Sequence, residues 1–428
     1  MAWGITVSDT HSRNRWGLIA IAALLTAFAA FESGTALAND DFGYLMWGLQ
    51  TRDDLLAWVS GPDWFTYRRP MNTLLWWLSA QTGLDGGLVR WSQVALWVSF
   101  GATLLTAART SKRAMVTLVL LLLTNQVFVD LLQWRSWLTT TGSLAFVALA
   151  AMAMERRSSA VSVALLGAVA LGFKEVGALA VAVIALSRPG YRAVGGFLLV
   201  AVCASASSST QKLGLSFIGD NIRFHVETVA LFLPAVPVLL AARFPRLPAW
   251  SLAAPVILLV LPTPIRAGAV VVTAGLFLLS EARWLPAAAV TMTLPLLGAA
   301  HARQYLLESW SILLFALTAS KKLPMPPVVG VTMLVLAAPS AINFEGARSR
   351  LRDQFATQRA FLRDFHPPQA AHLYHPEVAW SWDLDALYWV QGGATLDGRP
   401  PVGTEPVQVG PLSGVWADVR PVQGSGSK

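Results

Sequence analysis

The stretch Asn39-Asp40-Asp41-Phe42-Gly43-Tyr44-Leu45 follows the first long apolar run of the chain, which covers about residues 16–38. A run of this length predicts a membrane-spanning helix, because one span needs about 20 apolar residues. Two neighbouring carboxylates therefore stand where a helix should leave the bilayer. Later in the same loop, Tyr67-Arg68-Arg69-Pro70 places two arginines at the membrane boundary. Acids and arginines facing each other across one loop suggest a base and an anion-binding group.

The composition is that of a polytopic membrane protein. The chain has 428 residues, of which 55% are hydrophobic and only 13% are charged, whereas soluble proteins carry about 25% charged residues. The single cysteine, Cys203, excludes a framework of intrachain disulfides. The net charge of +8 is expected from cytoplasmic Lys and Arg, and it does not indicate a nucleic-acid partner.

Apolar runs recur along most of the chain and predict an all-α membrane protein of about thirteen transmembrane helices. We place these helices at about 16–38, 88–108, 114–131, 137–154, 159–173, 176–187, 193–208, 226–242, 249–263, 268–280, 285–300, 306–320 and 325–342.

The distribution of basic residues sets the orientation of these helices. Every second turn carries Lys or Arg, as the cytoplasmic side of a membrane protein does. The pattern predicts a cytoplasmic N-terminus and an extra-cytoplasmic C-terminus, in what we expect to be the bacterial inner membrane. The basic residues of the inward turns are Arg13, Arg15, Arg109, Lys112, Arg113, Arg156, Arg157, Arg188, Arg192, Arg243, Arg246, Arg283, Lys321 and Lys322.

Two regions follow from this topology. Residues 1–342 form the predicted transmembrane domain, and its first outer loop, 39–87, is rich in tryptophan and should form short interfacial helices. Residues 343–428 form a small extra-cytoplasmic segment that begins with an amphipathic helix at about 346–365. This segment has too little apolar periodicity for a core of its own.

Charged residues at the outer boundary are informative, because charges at that depth are costly unless they are paired or solvated. Arginine binds phosphate through two parallel hydrogen bonds, and lysine offers a point charge. An anionic lipid headgroup would therefore suit this face. The outer cations are Arg68, Arg69, Arg135, Lys174, Arg266 and Arg303, and the acids are Asp40, Asp41, Asp63, Asp130 and Glu175.

Each feature also has a purely structural interpretation. Asp40 is a good N-cap for an interfacial helix, the Arg68–Arg69 pair could extend to headgroups without specificity, and Lys174-Glu175 could be an ion pair in a helical turn. The spacing of the candidate metal ligands favours a solvated loop, because it lacks a pattern such as HExxH. These candidate ligands are His366, His372, His375 and Glu377.

Taken in order, four motifs resemble those of the polytopic GT-C glycosyltransferases, in particular members related to the protein O-mannosyltransferases and the tetratricopeptide-bearing transferases. The acidic motif Asn39-Asp40-Asp41 follows the first helix, and Tyr67-Arg68-Arg69-Pro70 is similar to a Tyr-Arg-Pro stretch with one extra Arg. Phe173-Lys174-Glu175 lies between two short helices. Arg303-Gln304-Tyr305-Leu306-Leu307 enters a late helix, although a Gln separates its Arg from its Tyr. The resemblance covers about residues 10–342.

The resemblance implies an inverting glycosyltransferase that uses a polyprenyl-phosphate-linked sugar on the extra-cytoplasmic side. Asp40 or Asp41 would be the base, with Asp40 favoured. Glu175 would support the site by orienting Lys174, and Tyr305 would be a second supporting residue. No cofactor is required by the sequence, and divalent-metal dependence stays open because relatives differ. The implied phosphate ligands are Arg68, Arg69, Arg135, Lys174 and Arg303.

Two other functions compete with this one. A non-catalytic scaffold or assembly subunit on the same fold would bind a membrane-protein partner, and the altered Arg-Gln-Tyr spacing leaves room for it. A transporter of lipid-linked saccharides ranks third, since it predicts charges in mid-span and most charges here lie at span ends. The sequence names neither the sugar, nor the acceptor, nor the oligomeric state.

Overall fold

The structure is a computed structural model, and it describes residues 7–32, 44, 69–82, 87–107, 112–133, 135–207, 218–297, 306–319, 326–342, 372–374, 406–408 and 420–421. The predicted helical architecture is confirmed for this part of the chain. Within these ranges, the departures from helix and short turns are three short strands near the C-terminus.

The helices are α1 Val7–Glu32, α2 Pro70–Thr82, α3 Gly87–Ala107, α4 Lys112–Thr124, α5 Gln126–Gln133, α6 Leu138–Glu155, α7 Ala160–Phe173, α8 Glu175–Leu186, α9 Arg192–Ser207, α10 Ile218–Ala230, α11 Val236–Arg243, α12 Ala249–Ala253, α13 Thr263–Ser280, α14 Leu285–Thr293, α15 Leu307–Ala319 and α16 Pro327–Ile342. Turns of 3-10 helix extend several of them, at Arg135–Trp137, Pro189–Tyr191, Leu233–Ala235, Ala254–Val260 and Leu294–Leu297.

Several of these helices could span a membrane. In the described part of the chain, α3, α6 and α13 are long and apolar enough by themselves, and α10 with α11 could form a fourth span that is bent by 47°. Other apolar helices, among them α7, α8 and α15, are shorter. The membrane character of the chain is thus supported, and the number of thirteen spans stays a prediction.

Some predicted spans are broken, and the breaks have local causes. The predicted span 114–131 is two helices that meet at Asn125, whose Oδ1 accepts a hydrogen bond from the Val127 amide at 3.0 Å. The predicted span 226–242 begins earlier, at Ile218, and breaks before α11. Pro234 and Pro237 lie at that break, where proline removes a backbone donor and fixes φ. The predicted outer turn near Arg266 is already helix, because α13 begins at Thr263.

Helix α15 is the centre of the bundle. Every residue from Leu307 to Thr318 is buried, as expected for a helix that other helices surround. It packs against α3, α6, α8 and α14. Trp310 stacks on Phe232 with ring centroids 3.9 Å apart, so α15 also contacts the α10–α11 break.

The outer helices present large apolar side chains away from the bundle. A soluble surface rarely gathers so many such residues, whereas lipid tails would cover them. Exposed examples on α7, α9 and α13 and in the turn after α12 are Val161, Leu165, Phe197, Val200, Val260, Val271, Val272 and Leu279.

Three of the predicted inward turns meet at one end of the bundle. Glu155 at the end of α6 pairs with Arg188 at 2.7 Å and with Arg283 at 3.1 Å. Both guanidinium groups also lie over the ring of Trp284, at 5.0 and 5.5 Å from its centroid. Burial lowers the pKa of Arg188, and the Glu155 carboxylate opposes that shift. This end is opposite to Lys174, which lies at the other ends of α7 and α8.

The C-terminal segment contributes a small three-stranded sheet. Strand β1, His372–Tyr374, pairs in parallel with β2, Pro406–Gln408, and β2 pairs antiparallel with β3, Arg420–Pro421. The predicted amphipathic helix at 346–365 lies outside the described residues.

Candidate functional site: a buried charged cluster

The site is built on a one-residue break between α7 and α8. Lys174 is extended, with φ −163° and ψ 133°, between two helical neighbours. Its amide donates to Ala170 O at 2.8 Å, and its carbonyl accepts from the Gly177 amide at 3.1 Å. Because both backbone groups are satisfied, the break is a stable feature that carries the Lys174 side chain into the interior.

The ammonium group of Lys174 joins three structural elements. Nζ lies 2.8 Å from Glu308 Oε1 in the first turn of α15, and it donates to Thr140 Oγ1 on α6 at 3.1 Å. Ser143, one turn further along α6, donates to the same Glu308 oxygen at 3.4 Å. Lys174 is 1% exposed and Glu308 is fully buried. A buried charge pair of this kind depends on good geometry to offset desolvation.

A second ion pair lies beside the first. Arg69, directly before α2, is buried, and one of its guanidinium nitrogens lies 3.5 Å from Glu175 Oε2. Lys174 is within electrostatic range of both Arg69 and Glu175. We call Arg69, Lys174, Glu175 and Glu308 the charged cluster. Two cations and two carboxylates balance, so the cluster is electrically neutral.

Three glycines allow the helices to approach this closely. A Cβ on Gly142 of α6 would overlap the ring of Phe173, the residue before the break. A Cβ on Gly177 of α8 would overlap the Ser143 hydroxyl, and one on Gly172 of α7 would overlap Met71 of α2. Close packing at these positions brings α2, α6, α7 and α8 together around Lys174.

The predicted site residues divide into three groups. Lys174, Glu175 and Arg69 come together in the charged cluster. Arg135 is buried in the 3-10 turn before α6, five residues ahead of Thr140. The other predicted residues lie outside the described part of the chain: Asp40, Asp41, Arg68, Arg303 and Tyr305.

The pairing inside the cluster differs from the predicted one. Glu175 was expected to orient its neighbour Lys174, but the carboxylate that contacts Lys174 is Glu308, and Glu175 contacts Arg69. Sequence reasoning missed Glu308, which stands one residue beyond the quoted Arg303–Leu307 motif. A signal was present, since Glu308 is the only charged residue of the predicted span 306–320, and an ionisable group within a span deserves a functional hypothesis.

Glu308 keeps one oxygen unused in the described part of the chain. Oε1 takes both contacts, from Lys174 and Ser143, whereas the buried Oε2 has no hydrogen-bond partner there. A buried carboxylate oxygen without a partner carries its full desolvation cost. The cluster therefore retains capacity to accept a hydrogen bond.

The chain matches no known protein-family model, no characterised protein and no solved structure. Among the described residues, no group of three or more His, Cys, Asp or Glu side chains lies close enough together to hold a metal ion. Of the loosely spaced candidate metal ligands, only His372 falls within the described ranges, and it belongs to β1.

The chemistry of the cluster is compatible with exchange of one anion for another. In a low-dielectric interior, an ammonium or guanidinium group is costly without an anionic partner. An entering phosphate could take the place of Glu308 or Glu175 beside a cation. It would have to compete with a carboxylate already in contact, so the cluster would bind an anion that brings several hydrogen-bond acceptors.

Proposed function

We propose that this chain is an integral membrane glycosyltransferase of the GT-C type, with about thirteen spans in the bacterial inner membrane. It would move a sugar from a polyprenyl-phosphate-linked donor to an acceptor on the extra-cytoplasmic side. The observation that supports this most is the meeting of Arg69 and Lys174. They come from two separate motifs of the resemblance and lie in one buried cluster.

The chemistry of the transfer suits these residues. An inverting transfer needs a base within hydrogen-bond reach of the acceptor hydroxyl, and Asp40 or Asp41 would serve, with Asp40 first. The departing polyprenyl phosphate gains negative charge, which preorganised cations stabilise. Arg69 and Lys174 would contribute this charge, joined by Arg68, Arg135 and Arg303. Glu308 would hold Lys174 in position until the phosphate arrives.

The base is tested by Asp40→Asn and Asp41→Asn in detergent-extracted full-length protein, assayed for transfer from a panel of polyprenyl-phosphate sugars. We expect one variant to lose at least about 100-fold in rate, the lower range for a lost general base. The control is Glu227→Gln, whose side chain is exposed on α10. Full activity in both aspartate variants would remove the base assignment.

A scaffold or assembly subunit is the second candidate, and the neutrality of the cluster favours it. Lys174 and Arg69 each have a carboxylate partner within the protein, so both pairs could serve only to fix helix packing. Purification from native membranes discriminates between the two functions. Three results together would support the scaffold function. A membrane protein co-purifies in stoichiometric amount, the purified protein transfers no sugar, and it does not bind polyprenyl phosphate.

A further inference from the structure

Helix α2 carries a row of buried polar groups that the charged cluster does not use. Asn72, Trp76 and Ser79 follow a spacing of four and three residues, which places them on one face of the helix. All three are completely buried. Asn72 Oδ1 and Nδ2, Trp76 Nε1 and Ser79 Oγ have no hydrogen-bond partner in the described part of the chain.

Other hydroxyl groups on α2 behave differently. Thr73 Oγ1 donates to Arg69 O and Pro70 O, both at 3.1 Å. Thr82 Oγ1 donates to Leu78 O at 3.1 Å and to Ser79 O at 3.2 Å. Ser79 could use its own helix in the same way but does not. Buried groups left without a partner carry a desolvation cost, and such groups call for a specific explanation.

An aromatic pair, Tyr44 and Trp76, lies at the same face of α2. Tyr44 stacks on Trp76 with ring centroids 5.2 Å apart and an angle of 11° between the rings. Both residues are buried. The face thus combines a stacked aromatic pair with an amide that has one donor side and one acceptor side, an indole N–H and a hydroxyl. None of these three α2 side chains is charged.

We propose that this face, Asn72, Trp76 and Ser79 with Tyr44, binds the saccharide part of the lipid-linked donor. A neutral ligand with adjacent hydroxyl groups matches the amide, which can accept from one hydroxyl and donate to the next. The position of this face also fits a donor-binding site, because α2 begins directly after Arg69 of the charged cluster. Asn72 lies about one helical turn from Arg69, so a sugar there would adjoin a phosphate held by the cluster. This inference rests on the proposed function.

The test compares ligands with and without the sugar on detergent-solubilised full-length protein. The probes are farnesyl phosphate and its mannosyl, glucosyl and arabinosyl esters, and the readouts are the shift in Tm and the Kd. We expect at least one ester to bind ten-fold or more tightly than farnesyl phosphate. We call this gain in affinity over farnesyl phosphate the sugar increment. Asn72→Leu should abolish the sugar increment and leave the affinity for farnesyl phosphate unchanged. Its own Tm without ligand should be equal or higher, because a buried amide without a partner is removed.

A matched control and a milder variant complete the test. Thr82→Val lies on the same helix and removes a hydroxyl that is satisfied within the helix, so the sugar increment should persist. Ser79→Ala is a smaller change than Asn72→Leu and should reduce the sugar increment several-fold. If the Asn72→Leu variant fails to fold, the Ser79→Ala result tests the saccharide site.

The outcomes separate this inference from the proposed function. If farnesyl phosphate binds and the sugar increment is absent, or is unaffected by both variants, the saccharide site is wrong and the phosphate site stands. If farnesyl phosphate and all three esters fail to bind the wild-type protein, the proposed function and the saccharide site fall together.

Discussion

Lys174 Nζ and Glu308 Oε1 lie 2.8 Å apart, and both side chains are almost completely buried. Lys174 lies in the break between α7 and α8, and Glu308 lies in the first turn of the central helix α15. The pair therefore connects the site to the middle of the bundle, and it provides the first two predictions.

Removing one member of this pair should be costly to stability. We expect Lys174→Met or Glu308→Leu alone to reduce the free energy of unfolding by about 3–5 kcal/mol, because the remaining buried charge loses its partner. The double variant should recover much of the loss. Unfolding by heat and by denaturant in detergent measures both effects. As a control, Arg223→Ala breaks the exposed pair with Glu227 and should cost less than about 1 kcal/mol. Additive losses in the double variant would show that the two charges do not depend on each other.

The same pair predicts opposite effects on anion binding. Glu308→Gln keeps the shape of the side chain and removes the negative charge that competes with an entering phosphate. We expect its affinity for farnesyl phosphate to rise about ten-fold, equivalent to about 1.4 kcal/mol, whereas Lys174→Met should lower it by a similar factor. Isothermal titration in detergent measures the Kd. The scaffold function predicts no binding by the wild-type protein or by either variant.

Close helix packing at the site should be sensitive to one methyl group. In Gly177→Ala the new Cβ would overlap the Ser143 hydroxyl, and overpacking of this kind costs about 1–3 kcal/mol. Gly196 of α9 is the matched control, since a Cβ there meets nothing within 4 Å. Gly196→Ala should be neutral or stabilising, because alanine favours helix over glycine by about 1 kcal/mol. Comparison of Tm values decides, and equal effects at the two glycines would contradict the packing at Gly177.

The ion pairs at the opposite end of the bundle should differ in strength. Arg188 is 15% exposed and Arg283 is 44% exposed, while both contact Glu155 and Trp284. We expect Arg188→Ala to lower Tm more than Arg283→Ala, because water and salt screen the exposed pair more strongly. Raising the salt concentration should reduce the effect of Arg283→Ala first. The reverse order of Tm losses would overturn this ranking.

The orientation of the chain can be tested with its single cysteine removed. In a Cys203→Ser background, Arg156→Cys introduces a thiol at an exposed position at the end of α6. The predicted cytoplasmic side implies that a membrane-impermeant maleimide labels it only after cells are permeabilised. Asp63→Cys, in the predicted outer loop, is the control and should be labelled in intact cells. Labelling of the Arg156→Cys variant in intact cells would reverse the predicted topology.

Much of the helical layout followed from the sequence, because apolar runs and basic turns act locally. The predicted span 88–108 corresponds to α3 at Gly87–Ala107, and 137–154 corresponds to α6 at Leu138–Glu155. Predictions were weaker where one residue decides the local backbone. Asn125 caps a new helix within a continuous apolar run. The mean hydropathy of that run does not reveal the break between the two helices.

The candidate site was predicted only in part. The Lys174-Glu175 motif marked the correct break, because two charges between two apolar runs are conspicuous. Glu308 was missed, since its meaning depends on a partner from another helix. The polar face of α2 was also missed, because Asn72 and Ser79 are ordinary residues of an interfacial helix until their burial is known.

The sequence by itself determined that this chain is largely helical, that its composition is typical of a membrane protein, and where several of its helices begin and end, because hydropathy and basic turns act over short distances. Only the tertiary structure decided that Lys174 pairs with Glu308 while Glu175 pairs with Arg69. Those pairings depend on how closely α2, α6, α8 and α15 approach one another. Glycines such as Gly177 permit that approach. The space beside Gly177 is filled by the Ser143 side chain, which comes from a different helix, α6.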